Sequence, residues 1–238
     1  AVIFNLLSKE PKLSCNVSDF NADLILAYVT IRDNLGKLIE SLENHSKNYH
    51  KNSTEYYYQV RKQEPKQQIE KVSRLIFLNR TCFNGLYRVN KKGQFNVPLG
   101  RYTNPNIVNK ENLIAVNKIL QSQKIKILCR GFEAVLDDAK KGDLVYFDPP
   151  YQPISNTANF TSYTHRDFTE DDLKRLVDLA DQLNSKGCHV LLSNSNSKTV
   201  KDYFSEKHWS ISEIKANRAI NSNSKKRTGH KEIIIKNY

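Results

Sequence analysis

The 238 residues are enough for one large domain or a domain with an insertion, and a hydrophobic share of 39% supplies a core beneath a very polar surface. A formal charge of +12, from 37 Lys+Arg against 25 Asp+Glu, favours a polyanionic partner, nucleic acid first and an anionic membrane surface second. No apolar run is long enough to span a membrane, no signal peptide opens the chain, and Cys15, Cys82, Cys129 and Cys188 are too scattered for a disulfide framework or a zinc site, which points to a cytoplasmic protein with reduced thiols and no metal.

The chain starts at Ala1 without a methionine, and Ala1 to Leu7 reads as a helix already under way, as expected of a fragment whose amino-terminal part is missing. Lys12 to Val17 reads as a short strand running into Ser18-Asp19-Phe20-Asn21. An acid at such a strand end suits the ribose hydroxyls of a nucleotide-type cofactor, and Asp19 suits the N-cap of the following helix equally well. Ala22 to Leu42 carries apolar residues at helical spacing, from Leu24 through Ile31 and Leu38 to Leu42. A polar region with Tyr56-Tyr57-Tyr58 follows; these rings could stack on bases, but helix-core packing is the better expectation. Gln67 to Leu78 is a second amphipathic helix.

Residues 79 to 102 interleave cations, amides and aromatics between Asn84-Gly85 and Lys92-Gly93 turns, so Leu86 to Val97 is a candidate β-hairpin. This composition can read base edges and wedge a duplex; the same composition also fits a solvated basic loop. Lys110 to Gln121 is a helix, and Ile125 to Cys129 a strand ending in Arg130-Gly131-Phe132-Glu133.

Gly142-Asp143 then opens the apolar run Leu144-Val145-Tyr146-Phe147, which reads as a buried strand. Asp148-Pro149-Pro150-Tyr151 must leave that strand stiffly, because neither proline offers an N–H and each fixes its own φ. The elbow presents a carboxylate, two locked carbonyls and an aromatic face at the carboxyl end of a strand, where open α/β sheets bind ligands. A planar base with an exocyclic amine suits it: acceptors for the N–H hydrogens and a ring to stack on. An Asp-Pro turn beside a core tyrosine is the plainer reading. Gln152 to Arg166 is a long polar loop carrying Asn159 and Phe160, of the kind that accompanies active sites.

Thr169 to Asp172 is a capping-box start for a helix that Gly187 stops. Cys188 to Leu192 is a strand followed by Ser193-Asn194-Ser195-Asn196, and Ser197 can cap a short helix to about Phe204. Trp209 to Ile214 and Glu232 to Ile235 are the last strands, separated by a polar, basic stretch, residues 217–231, that suits phosphates or simple solvation. This order predicts an α/β, Rossmann-like fold: a mostly parallel sheet with an antiparallel edge hairpin. Residues 1–25 and 110–238 would form this domain, and residues 26–109, which have no place in the alternation, an insertion that recognises the partner.

The series Leu78-Asn79-Arg80, Phe83-Asn84-Gly85-Leu86, Arg88, Phe95 to Pro98, Gly100-Arg101-Tyr102, Asp148 to Tyr151 and Thr157 to Thr161 resembles the Dam type of DNA adenine-N6 methyltransferase over nearly the whole chain. The resemblance implies S-adenosyl-L-methionine as cofactor, double-stranded DNA as partner and adenine in GATC as target. It assigns Asp19, Phe20, Gly131 and Phe132 to the cofactor, with Asp148 bordering it. Asp148, Pro149, Pro150 and Tyr151 would hold the extruded base. Phe83 and Asn84 would enter the gap the base leaves; Leu86, Arg88, Pro98 and Tyr102 would touch base edges, with Arg101 among them and Asn159 completing the DNA-binding set. The family's Phe-x-Gly-x-Gly cofactor loop would precede Ala1. A cognate restriction endonuclease acting on the same site is the partner expected of a restriction system. The alternatives are an RNA amine methyltransferase and a DNA-binding remnant without activity; a base deaminase is disfavoured because its zinc signature is missing.

Overall fold

The computed structural model describes residues 2–90, 92–122, 124–152, 168–205, 208–216 and 230–238. The chain divides into two compact units, Ala1–Gly131 and Phe132–Tyr238.

In the first unit α1 (Val2–Lys9), β1 (Cys15–Asp19), α2 (Ala22–Asp33), α3 (Leu35–Lys51), α4 (Ser53–Lys62), α5 (Gln68–Thr81), α6 (Lys110–Leu120) and β2 (Ile125–Cys129) follow in order. β1 and β2 pair in parallel, from Cys15 opposite Ile125 to Asp19 opposite Cys129. Asp19 is therefore the last residue of its strand. The helix expected over 22–42 is two helices, broken at Asn34 (φ −134°): the Asn34 N–H closes α2 on Thr30 O at 2.8 Å, and its carbonyl accepts from Leu38 N at 3.0 Å to start α3. The apolar spacing runs through the break, which hides it in the sequence. The polar region after Leu42 is also helical. Asn52 caps α4 by accepting from Glu55 N at 3.3 Å, and Tyr57 is fully buried with its hydroxyl donating to Val97 O at 2.8 Å. Tyr57 belongs to one apolar cluster with Leu38, Leu42, Tyr49, Val60, Val72, Phe77 and Leu78, so helix-core packing accounts for it.

The expected hairpin is narrow. Val89 bridges Phe95, Asn96 N donates to Arg88 O at 3.0 Å, and Asn90 N donates to Gln94 O at 2.8 Å around a turn that needs Gly93 at φ 76°.

The second unit holds α7 (Val135–Asp138), β3 (Leu144–Phe147), α8 (Glu170–Ser185), β4 (His189–Ser195), α9 (Lys198–Tyr203), β5 (Ser210–Ala216) and β6 (His230–Lys236). The capping box forms: Asp172 N donates to Thr169 Oγ1 at 3.2 Å and Thr169 N to Asp172 Oδ2 at 2.8 Å. The sheet order is β3-β4-β6-β5. β3 and β4 are parallel, whereas β6 is antiparallel to both β4 and β5. The architecture is thus α/β with a mixed sheet; among the described residues parallel pairing does not predominate. Ile233 and Ile235 are fully buried and Ile234 half-buried, so β6 is apolar on both faces and takes an interior place, leaving the more polar β5 outside. β4 runs three residues further than the apolar pattern suggested, through Ser195. Among the described residues no helix is long and apolar enough to cross a membrane.

Candidate active site

β3 alternates. Val145 and Phe147 are buried in the core of the second unit, while Leu144 and Tyr146 face away from it. Register pairs Phe147 with Leu192, which puts Asp148 level with Ser193 one step beyond the ladder. Side chains two apart share a face, and so do directly paired residues. Tyr146 and Asp148 from the β3 line, Ser193 and Ser195 from β4, and Glu232, paired with Ser195 from β6, therefore lie on one face.

The prolines end the strand, and β4 fixes both ends of the elbow they make. At its start the Ser193 hydroxyl donates to Asp148 Oδ1 at 2.8 Å. At its end Asn194 Oδ1 accepts from Gln152 N at 3.1 Å, and Ser195 Oγ donates to Gln152 O at 2.6 Å. The Tyr151 hydroxyl donates to Glu232 Oε2 at 3.4 Å, and the Tyr146 hydroxyl lies 3.1 Å from Ser193 Oγ. Burial pushes the Tyr151 and Tyr146 phenols up; the Ser193 hydroxyl opposes this and the Asp148 and Glu232 carboxylates add to it. Asp148 is itself exposed and Tyr151 half-buried, so both remain presented.

Ser193, Asn194 and Ser195 are polar residues with side chains nearly inaccessible to solvent, at 5%, 0% and 1% exposure. Three buried polar residues at the end of an apolar strand require partners. The elbow partners the Ser193 and Ser195 hydroxyls and the Asn194 side-chain oxygen. The sequence offers only a weak sign of it, a run of small polar residues directly after the apolar strand pattern.

Of the residues expected to contact DNA, those described lie on the first unit. Cys82 bridges Leu99, Phe83 N donates to Pro98 O at 2.8 Å and Gly100 N donates to Thr81 O at 2.8 Å. This staple brings the Phe83–Gly85 turn to the Pro98–Tyr102 stretch. Asn84 takes a left-handed conformation (φ 54°), Asn79 Nδ2 donates to Gly85 O at 2.8 Å, and Phe83 is left 39% exposed. Pro98, Arg101 and Tyr102 are exposed as well. Asn96 holds the Arg88 guanidinium, accepting from Nε at 2.8 Å and from Nη2 at 3.4 Å. Leu86 is half-buried against the core. Asn159 lies outside the described residues, as do all of 153–167 and residues 217–229.

The cofactor-directed residues fall in both units. In the first, Asn21 rather than Asp19 caps α2, accepting from Asp23 N at 3.0 Å and Leu24 N at 3.2 Å. Asp19 instead accepts from Asn21 N through Oδ1 at 2.7 Å, and its other oxygen has no hydrogen bond to a described residue. Phe20 beside it is 61% exposed. A free carboxylate oxygen and an open ring at the end of a parallel strand pair fit the ribose and base of a nucleotide-type cofactor. Gly131 ends the first unit. Phe132 opens the second in a single 3₁₀ turn, half-buried, with the Arg175 guanidinium 5.6 Å from its ring centre and Phe168 at 6.3 Å. Among the described residues no group of three or more His, Cys, Asp or Glu could hold a metal ion.

An α/β fold with a stapled Asp-Pro-Pro-Tyr elbow at a strand end is the framework of an enzyme that presents acceptors and a ring to a planar substrate. Residues 1–220 match the family described as D12 class N6 adenine-specific DNA methyltransferase, and the chain belongs to it. It is 44% identical over 228 residues to the type II methyltransferase M1.LlaDCHI of Lactococcus lactis subsp. cremoris, covering 93% of this chain and 78% of that protein. To the type II methyltransferase M.MjaIII of Methanocaldococcus jannaschii it is 40% identical over 250 residues, covering all of this chain and 85% of the relative. The DNA adenine methylase of Serratia marcescens is 32% identical over 222 residues, covering 92% and 80%.

Proposed function

We propose that the protein transfers the methyl group of S-adenosylmethionine to the N6 amine of an adenine rotated out of double-stranded DNA, within GATC. The reading rests above all on the elbow: Asp148 held by Ser193, and Tyr151 held by Glu232, at the carboxyl end of β3. It includes a Rossmann-like catalytic domain from residues 1–25 and 110–238, with residues 26–109 as the target-recognition insertion. S-adenosylmethionine, when bound, supplies an electrophilic methyl on a sulfonium; Asp19, with Phe20 beside it, would hold its ribose, and Phe132, preceded by Gly131, would lie along its adenine.

An adenine amine is a poor nucleophile because its lone pair is delocalised into the ring. The Asp148 carboxylate and the Pro149 carbonyl accept its two hydrogens, which favours a pyramidal nitrogen with the lone pair directed away from both. Tyr151 stacks on the ring. Pro150 keeps the two acceptors and the phenol in fixed relation, and such positioning contributes up to about 7–11 kcal/mol in well-aligned displacements. The positive charge that develops on nitrogen is stabilised by the same oxygens. The resulting ammonium loses a proton to water, so no separate base is needed.

Extruding the base costs a few kcal/mol. Phe83 fills the gap it leaves, recovering ~1–3 kcal/mol by stacking, with Asn84 beside it. Arg88, oriented by Asn96, reads a guanine; Pro98, Arg101, Tyr102 and Asn159 contact the site, and Leu86 offers least because the core already holds it. A cognate endonuclease acting on the same site fits a place in a restriction system.

The test is tritiated-methyl incorporation into duplexes with and without GATC, beside a gel shift. Wild type should label adenine only in GATC. Asp148→Ala should lose at least about 10²-fold in rate, the scale for one positioned electrostatic partner, and keep its DNA affinity. Full turnover in that variant, or stronger labelling of RNA than of duplex DNA, overturns the reading.

A further inference from the structure

Three groups that no motif marks, Tyr146, Ser193 and Glu232, face the same side of the sheet as Asp148, and their protons can be counted. A serine hydroxyl has one hydrogen, and an ionised carboxylate has none to give. Ser193 spends its hydrogen on Asp148 Oδ1 at 2.8 Å. The 3.1 Å contact between Tyr146 and Ser193 must then run from the phenol to the serine oxygen. The hydrogen bonds therefore have one direction, Tyr146 to Ser193 to Asp148. Ser193 itself cannot turn away, since it is 5% exposed and sits between the paired strands.

We infer that Ser193 is a positioning residue for methyl transfer: by occupying Asp148 Oδ1 it sets the plane of the carboxylate and leaves Oδ2 as the oxygen for the substrate amine. The inference rests on the function proposed above. A carboxylate at an exposed strand end is otherwise free to rotate about its last bond, a broad and roughly two-fold torsion. A rotating acceptor would meet the amine in the right plane only part of the time. Ser193 removes that freedom before substrate arrives, and Tyr146 prevents the serine from being shared with water. Glu232 does the same for the ring, fixing the Tyr151 phenol at 3.4 Å.

Ser193→Ala removes the hydroxyl and little else, and Ser193→Thr restores it. Single-turnover methyl transfer, DNA affinity by gel shift and cofactor affinity by calorimetry are measured on the protein and both variants, with Asp148→Ala alongside. The alanine variant should lose about 10- to 100-fold in kcat, within the range misplaced catalytic groups cost, with both affinities within about two-fold of wild type as expected when only transition-state alignment is lost. The threonine variant should recover most of the rate. An alanine variant as fast as wild type, or a threonine variant as slow as alanine, overturns the inference while leaving the function standing. Wild type unable to label adenine overturns the function instead. The hydrogen-bonded hub is then still judged by phenol titration: Ser193→Ala should shift the titration of tyrosines near the elbow, and an unchanged profile removes the hub. If the alanine variant does not fold, Tyr146→Phe carries the comparison: a slower kcat at unchanged affinities supports the relay, an unchanged kcat overturns it.

Discussion

At the scale of single residues the side chain with the most to say about stability is His45, on α3. Its Nδ1 lies 2.8 Å from the Tyr56 hydroxyl, and its ring stacks on Phe77 at 4.8 Å with the planes 16° apart. Burial depresses its pKa to about 4. The folded value is below the unfolded one, near 6.5, so protons favour the unfolded chain. The stability involved is fully present above about pH 6.5, is lost as pH falls toward 4, and changes no further below that. The ceiling is about 3 kcal/mol, from 1.36 kcal/mol per unit, of which roughly 2 kcal/mol is gone by pH 5. His45→Gln keeps a partner for Tyr56 and cannot titrate. Urea unfolding of both proteins at pH 7.5 and pH 5 cancels the carboxylates they share. Wild type should lose about 2 kcal/mol more than the variant; equal losses would mean that His45 is not buried neutral.

At the scale of elements, the Cys82–Leu99 staple decides whether Phe83, Pro98 and Tyr102 work together. Gly100 sits inside it. A Cβ there would come within 2.8 Å of Cys82 O and 2.4 Å of the Tyr102 ring. The ring can swing aside, but the backbone carbonyl cannot without breaking the Phe83 turn. Gly100→Ala should cost ~1–3 kcal/mol, as overpacking does, and should weaken DNA binding by displacing Tyr102 and Phe83 together. A thermal melt and a gel shift check this; normal affinity would show that the staple does not organise the DNA face. Most elements were legible in the sequence because they carry their own signals. The Thr169 capping box, Gly187 as a stop, the prolines after Phe147 and the Asn-Gly and Lys-Gly turns are local chemistry. Asn34 was not legible as a break, because the apolar repeat continues across it. The extent of α3 and the existence of α4 were hidden by polar residues on their outer faces, although Tyr49 and Tyr57 are core. The elbow was legible in Asp148 to Tyr151, but its supports were not: Ser193 and Glu232 are 45 and 81 residues from their partners. Only strand register brings them near, and sheet order is not written in any one segment. The interior place of β6 follows from the same kind of non-local pairing.

At the scale of the whole molecule, the net charge of +12 is unevenly distributed. The first unit, Ala1–Gly131, holds 21 of the 37 Lys+Arg and 10 of the 25 Asp+Glu, a net of +11; the second holds 16 against 15, a net of +1. The function proposed above would divide in the same way. Phe83, Arg88, Pro98, Arg101 and Tyr102 are in the basic unit, whereas Asp148 and Glu232, two carboxylates on one sheet face, are in the nearly neutral one. On the proposed function a polyanion would be drawn to the first unit, and the second would offer its acceptors to an amine. This separation has a measurable consequence. Each phosphate neutralised by a cation makes the logarithm of affinity fall with the logarithm of salt concentration with a slope of about −0.9 per contact. Lys92, exposed at the hairpin turn of the first unit, and Lys174, exposed on α8 of the second, carry the same charge. Lys92→Glu should flatten the salt slope by roughly one contact or more, without altering which sequences are preferred. Lys174→Glu should leave the slope as in wild type. Gel shifts from 50 to 200 mM salt, about the range over which several phosphate contacts are lost, compare the two. Equal flattening by both variants would show that phosphates are held by both units, and the division of labour between a basic reading unit and a nearly neutral chemical one would have to be given up.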